Sequence, residues 1–249
     1  MPPPVVIAVI PAHDEAPRIG PVISGALQAL PVVVIDDGSS DATAEVAAAA
    51  GATVLTQRPN QGKGAALRAG FTYALSLDAE AVVTLDGDGQ HDPAELPRLL
   101  AARVGAGTGG GTAHTAAGSP AELVIGRRSF RAMPPVRRLS NAVGTVVLSA
   151  ALGHWVPDNQ SGYRVIGRQL MTAMLDSRDD GFAFEVEMIA VCLREGWPIA
   201  WAPIRTIYGE ERSHIRPMRH LKDFLAVTAR ARRIRRGEPL GREPRRASG

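Results

Sequence analysis

Apolar runs of strand length punctuate the first half of the chain: VVIAVI at 5–10, VVVI at 32–35, ATVL at 52–55, AVVTL at 81–85 and ELVIG at 122–126. Segments with helical spacing separate them, so the pattern predicts an α/β fold with a mostly parallel sheet and helices on both faces. Ser39, Ser40 and Asp41 offer N-caps to an alanine-rich helix at 42–50, which Gly51 stops. A longer helix is predicted over 62–77, and Asp92-Pro93 reads as an N-cap followed by a first-turn Pro for a helix at 93–103.

The periodicity then lapses. Residues 104–121, VGAGTGGGTAHTAAGSPA, are rich in Gly, Ala and Thr and read as a flexible surface insertion, in which His114 has no neighbouring ligand to form a metal site. Beyond it follow a helix near 137–152, a strand around Tyr163 to Ile166, a helix near 183–195, strand-like PIAWAPIRTIY and a final helix from about Pro217. These elements complete a single domain over 1–229.

With 249 residues, 45% of them hydrophobic, the chain can bury a sizeable core. No apolar run reaches the roughly 20 residues that span a bilayer. The opening MPPPVVIAVIPAHDE lacks a basic leader and a small-residue cleavage site, so it reads as a first strand and the expected compartment is the cytoplasm. Cys192, the single cysteine, excludes an intrachain disulfide and sits in EMIAVCLREG, a buried helical setting. The net charge of +3 is unevenly spread: residues 230–249 hold eight Arg and two Glu, a local +6 that leaves −3 for the rest. That stretch reads as a basic, mobile tail able to contact an anionic membrane face. Nucleic acid is not an expected partner, because the tail lacks interleaved aromatics and the body is acidic.

Ligands of open α/β sheets gather at the carboxyl ends of the strands, and three such ends are polar here. They are Pro11-Ala12-His13-Asp14-Glu15, Asp36-Asp37-Gly38-Ser39 and Asp86-Gly87-Asp88-Gly89-Gln90-His91. Neither a dinucleotide glycine fingerprint nor a P-loop is present. Asp86 and Asp88 flank a glycine, so both carboxylates can approach one hard divalent cation, Mg²⁺ or Mn²⁺, with Gln90 adding a neutral oxygen. Such an ion would neutralise a departing diphosphate. His91 is expected to pack locally, outside the metal shell.

The ordered motifs VIPAHDE, VVVIDDGSSDAT, NQGKGAALRAGFTYA, VVTLDGDGQHDP and DNQSGYR resemble family 2 glycosyltransferases, especially the dolichyl-phosphate mannose synthase-like branch, over roughly residues 5–220. The resemblance implies a Rossmann-like GT-A fold and inverting transfer of a sugar from a nucleotide diphosphate donor, most readily to a polyprenyl phosphate. It implies that Pro11, His13 and Glu15 line the nucleoside pocket, although His13 stands where such enzymes more often have Asn. It also implies that at least one of Asp36 and Asp37 meets base or ribose, that Lys63 lies near base or phosphates, and that Asp86, Asp88 and Gln90 carry metal and diphosphate. Arg127, Arg128, Arg137 and Arg138 match a region that holds an acceptor phosphate. Asp158 matches the carboxylate that serves as general base toward hydroxyl acceptors and as an orienting group toward phosphate. The resemblance also implies that Ser161 and Gly162 shape that loop, that Ser161 adds to the acceptor-phosphate site, and that Arg164 is an internal partner for a carboxylate. Phe182, Phe184, Glu185 and Glu187 match a helix leading into the site. Arg212, Ser213 and His214 match a late loop over phosphate, His214 being a further candidate for diphosphate or metal. A transferase to a small hydroxyl or phosphorylated acceptor, and a nucleotide-sugar-binding protein without turnover, are the alternatives the residues leave open.

Overall fold

The structure, a computed structural model, describes residues 5–105, 119–128, 135–205, 207 and 217–241, without the side chains of 135–140 and 217–221. Among the described residues, seven strands form one sheet: β1 (Val6–Ala12), β2 (Val32–Asp37), β3 (Thr53–Gln57), β4 (Ala81–Thr84), β5 (Leu123–Arg128), β6 (Arg164–Gly167) and β7 (Ile199–Ile204). Their order is β3-β2-β1-β4-β6-β5-β7. All neighbours run parallel except β6, which lies antiparallel to both β4 and β5. The expected mostly parallel α/β sheet is therefore observed.

The helices are α1 (Ala16–Ala26), α2 (Thr43–Ala49), α3 (Lys63–Ser76), α4 (Leu96–Val104), α5 (Pro135–Leu152), α6 (Arg168–Met174), α7 (Ala183–Glu195) and α8 (Pro217–Arg235). Both sheet faces are covered. Ile7 and Val9 of β1 join a core with α3, α5, α6, α7 and α8, whereas Ala8 and Ile10 face α1, α2 and α4. Burial of alternate residues on both sides is why the strands read as unbroken apolar runs. Helix α3 lies close on the sheet because its buried face is built from Ala and Gly; a Cβ at Gly70 would stand 2.4 Å from Val9 Cγ1. Cys192 is fully buried on α7, and burial pushes its thiol well above the ordinary range.

Helices α1 and α6 have no counterpart among the predicted elements. Pro17 and Pro21 interrupt the helical signal of the first, and the second has only seven residues. Asp92 caps as expected, accepting from Ala94 N–H at 3.0 Å, but the turn it starts is a 3₁₀ turn over Pro93–Glu95 that leads into α4. Residues 106–118 of the expected insertion, including His114, lie outside the described residues, while Ala121 at its end is fully buried.

The boundary expected at 229/230 falls inside α8. Ala231, Ile234 and Leu240 are buried in the main core, and Arg230 pairs with Glu187 of α7, so the first part of the basic stretch is packed structure. Its remainder, 242–249, lies outside the described residues. Among the described residues, no helix is long and apolar enough to cross a membrane.

Candidate active site

The parallel register of β1, β2 and β4 brings their carboxyl ends to one side of the sheet, as the three polar clusters require. At the end of β1, Pro11 is half-buried in register with Ile35, and His13, 45% exposed at its side chain, places Nδ1 3.0 Å from the Asp37 carbonyl. Glu15 binds Arg18 at 2.7 Å and lies against the Asp86-Gly87-Asp88 turn, where a Cβ on Gly87 would meet Glu15 Cγ at 3.6 Å.

The acidic pair after β2 is turned inward. Asp37 accepts from Gln61 N–H and Gly62 N–H, each at 2.7 Å, and Asp36 accepts from Ser39 N–H at 3.2 Å; both are nearly inaccessible. The resemblance implied that one of these carboxylates meets base or ribose. In this structure Asp37 also holds the backbone just before α3, and Asp36 holds the turn that follows β2. Asp37 thereby fixes the loop that launches Lys63.

Lys63 is the hub. Its Nζ donates to Asp86 Oδ1 at 2.6 Å and lies 3.2 Å from Glu185 Oε1 on α7. Burial opposes the ammonium charge, but Glu185 and Asp86 outweigh it and hold the group above its ordinary value. Burial likewise opposes ionisation of Asp86, but the Lys63 ammonium keeps that carboxyl below its ordinary value. Gly162 closes over this pair: a Cβ there would sit 2.7 Å from Asp86 Oδ2 and 3.0 Å from Lys63 Nζ, so only glycine fits. Asp88 accepts from Gln90 N–H at 2.9 Å, and the Gln90 carbonyl accepts from Ile207 N–H at 3.0 Å, which sets the turn. His91 is packed against Tyr163 with ring centroids 5.1 Å apart, accepts from Asp86 N–H at 3.3 Å, and is pulled below its ordinary pKa by burial. It supports the turn as a neutral ring, in line with its expected local packing.

Arg128, at the end of β5, meets Asp158 in the loop before β6. Arg128 donates through Nε, Nη2 and its backbone N–H to the Asp158 carboxylate, at 2.8, 2.9 and 3.1 Å, and Gln160 N–H adds a fourth donor at 3.1 Å. Arg127 is exposed beside it. Arg164, expected to pair with a carboxylate, is fully buried and instead donates to three carbonyls: Ser161 O at 2.8 Å, Asn159 O at 3.1 Å and Glu185 O at 2.5 Å. It pins the 158–161 loop to α7. Burial pulls this guanidinium below its ordinary value, against the field of Glu185, Asp158 and Asp86. Ser161 Oγ and Asn159 Nδ2 are buried without a partner among the described residues.

The family model described as Glycosyl transferase family 2 matches residues 7–170. The chain belongs to this family. This family 2 glycosyltransferase is 29% identical to the undecaprenyl-phosphate mannosyltransferase of Micrococcus luteus, with 82% of this chain and 84% of that one covered. It is 27% identical to the polyprenol monophosphomannose synthase of Mycolicibacterium smegmatis, over 80% of this chain and 76% of that one. A solved structure of glucosyl-3-phosphoglycerate synthase from Mycobacterium tuberculosis, in complex with Mn²⁺ and UDP-glucose, superposes with a TM-score of 0.67 at 23% identity, covering 92% of this chain and 79% of that one. The fold is thus of the GT-A type.

The structure places His13, Glu15, Lys63, Asp86, Asp88, Gln90, Arg127, Arg128, Asp158 and Ser161 at one sheet edge. The side chains of Arg137 and Arg138, and all of Arg212, Ser213 and His214, lie outside the described residues. The pairing of Glu185 with Lys63 was not foreseen. Its signal is in the sequence: two glutamates, Glu185 and Glu187, stand in the apolar run AFEVEMIAVC, and buried carboxylates need cations.

Proposed function

We propose that this enzyme transfers a sugar from a nucleoside diphosphate donor to a polyprenyl phosphate. The observation that carries the reading is the saturation of Asp158. With four donors on its two oxygens, this carboxylate has little capacity to take a proton from a hydroxyl acceptor. A phosphate acceptor is anionic at neutral pH and needs no base, which agrees with the acceptors named for the Micrococcus and Mycolicibacterium relatives. In this reading Asp158 is a positioning residue for Arg128, and Arg127, Arg128, Arg137, Arg138, Ser161, Arg212 and Ser213 receive the acceptor phosphate.

The residues fit a divalent cation of the Mg²⁺ or Mn²⁺ type. Among the described residues, no three His, Cys, Asp or Glu side chains converge as a closed metal cage. Open sites for Mg²⁺ nevertheless use one or two carboxylates and leave positions for water and substrate phosphate. Asp88 would hold the ion, assisted by Gln90 and His214, while Asp86 is already matched by Lys63. When bound, the ion supplies positive charge for the departing diphosphate. Pro11, His13 and Glu15 face the nucleoside, and the Lys63-Asp86 pair orients the donor beneath Gly162. The acceptor phosphate oxygen bonds to the anomeric carbon from the side opposite the diphosphate. The old carbon–oxygen bond breaks, and its electrons leave with the nucleoside diphosphate. The basic stretch beyond residue 230 favours peripheral contact with an anionic membrane face, where such an acceptor resides.

A mass-spectrometric screen of nucleotide-sugars against polyprenyl phosphates, with Asp88→Ala alongside, tests the reading. A lipid-linked sugar formed by the wild type and lost in the variant is expected. No product with any donor would overturn the acceptor assignment, and undiminished transfer by Asp88→Ala would overturn the metal assignment.

A further inference from the structure

Helix α5 departs from what a solvent-facing helix should be. From Leu139 to Gly153 the sequence contains no charged residue, yet one side of the helix faces solvent. Ser149, Leu148 and Leu152 point inward; Ser149 Oγ accepts from Val156 N–H at 3.0 Å and so braces the loop that leads to Asp158. The opposite side presents Val143 and Val146, 53% and 58% exposed, with Ala150 one turn further on. A helix covered by water on that side would carry charge there.

Two further exposed apolar side chains stand on the segments that adjoin α5. Trp155, three residues before Asp158, is 55% exposed, and Leu225 of α8 is 49% exposed next to Phe224, whose ring packs over Gly144 of α5. At the far end of α5, Arg232, Arg235 and Arg236 surround a cleft with Ala150, Ala151 and Gly153. The neighbouring Arg230 and Arg233 are paired with Glu187 and Glu238, but these three have no ion-pair partner among the described residues.

We propose that the exposed side of α5, with Trp155, Leu225 and the three arginines, is the surface by which this enzyme lies on an anionic lipid bilayer. Aliphatic side chains and a Trp enter the acyl boundary, and guanidinium groups pair with lipid phosphates. The charge pattern favours an anionic bilayer over a second copy of the chain, which would bring a further set of the same cations, rather than anions, into the contact. The placement also serves the site: the helix that rests on lipid braces the loop bearing Asp158. The inference rests on the polyprenyl phosphate reading for its purpose, but its test does not depend on it.

Flotation of the full chain with phosphatidylcholine vesicles, with and without phosphatidylglycerol and free of polyprenyl phosphate, measures the contact. Val143→Glu combined with Val146→Glu is expected to weaken vesicle binding by about tenfold or more. Arg232→Gln, Arg235→Gln and Arg236→Gln together are expected to cost about a hundredfold on anionic vesicles only. In Trp155→Phe, the vesicle-induced blue shift of tryptophan emission should vanish. Unchanged circular-dichroism melts certify the variants. Wild-type protein that fails to float, or a Val143→Glu/Val146→Glu protein that floats like wild type, would overturn the inference. So would a wild-type dimer in light scattering that this double substitution disperses, which would assign the face to a second copy. Vesicle binding that follows the expected pattern, without transfer to a short-chain, water-soluble polyprenyl phosphate, would leave the surface standing and refute the acceptor reading.

Discussion

Arg128 and Asp158, thirty positions apart in sequence, close a two-pronged ion pair at 2.8 and 2.9 Å in which Asp158 is 1% exposed. Each had an independent role in the sequence-based expectation, one as phosphate ligand and the other as carboxylate catalyst. Their pairing makes them a unit, because the planar guanidinium is held in one orientation by the carboxylate it faces.

Asp158→Ala should therefore destabilise the protein by about 3–5 kcal/mol in urea denaturation, since it removes both prongs of the pair from a largely buried guanidinium. Asp158→Asn should lower kcat/KM while preserving the shape of its pH profile. Disappearance of an acidic limb in that variant would restore Asp158 as a general base.

Gly162→Ala tests the close approach over the Lys63-Asp86 pair. The added methyl meets both Asp86 oxygens inside 3.0 Å, so the pair must shift. Transfer should fall about a hundredfold through misplacement, against a cost of about 1–3 kcal/mol in stability. Wild-type rates in the variant would show that the pair does not orient the donor.

Chelation is expected to abolish transfer, and Mg²⁺ or Mn²⁺ to restore it. Asp88→Asn should not be rescued at any metal concentration, because an amide oxygen lacks the charge a hard cation needs. Full activity in chelator would contradict a metal-held diphosphate.

Arg230 of α8 faces Glu187, a carboxylate that burial pushes above its ordinary value in spite of Ser177 and Arg230. Arg230→Gln leaves that carboxylate without its cation and should cost about 3 kcal/mol near neutral pH. A raised folded-state pKa gives stability that is fully present below the unfolded value and lost as pH rises through the folded one. The deficit of the variant should thus be smallest near pH 4.5, the ordinary value for this group, and grow toward neutrality. Melting curves of both proteins across that range check the sign; a pH-independent deficit would indicate that Glu187 is not the group involved.

Much of the fold was legible because its signals are local. Apolar runs mark strands whether their partners are parallel or antiparallel, so β5 and β6 were found but the antiparallel placement of β6 between β4 and β5 was not. The three polar strand ends were equally plain, since each lies within a few residues. What happened to their carboxylates was not: Asp37 turned inward to two backbone N–H groups, whereas Asp86 turned to Lys63. Either choice satisfies the same local sequence.

The basic end of the chain shows the same division. Its charge and arginine count were explicit, and suggested a tail. Ala231 and Ile234 are spaced to bury one face of α8 and Leu240 follows after the helix ends, but so sparse a set among arginines carries weak periodicity until a core exists to receive it.

By itself, the sequence determined the alternation of strands and helices, the chemistry gathered at one sheet edge and the family to which it belongs, because periodicity and motifs are properties of neighbouring residues. Tertiary structure alone decided that Lys63 would join Asp86 to Glu185, that Arg128 would claim Asp158, and that an uncharged side of α5 would remain uncovered. Those outcomes depend on which elements the strand order brings face to face, and on the cost of leaving a buried charge without a partner.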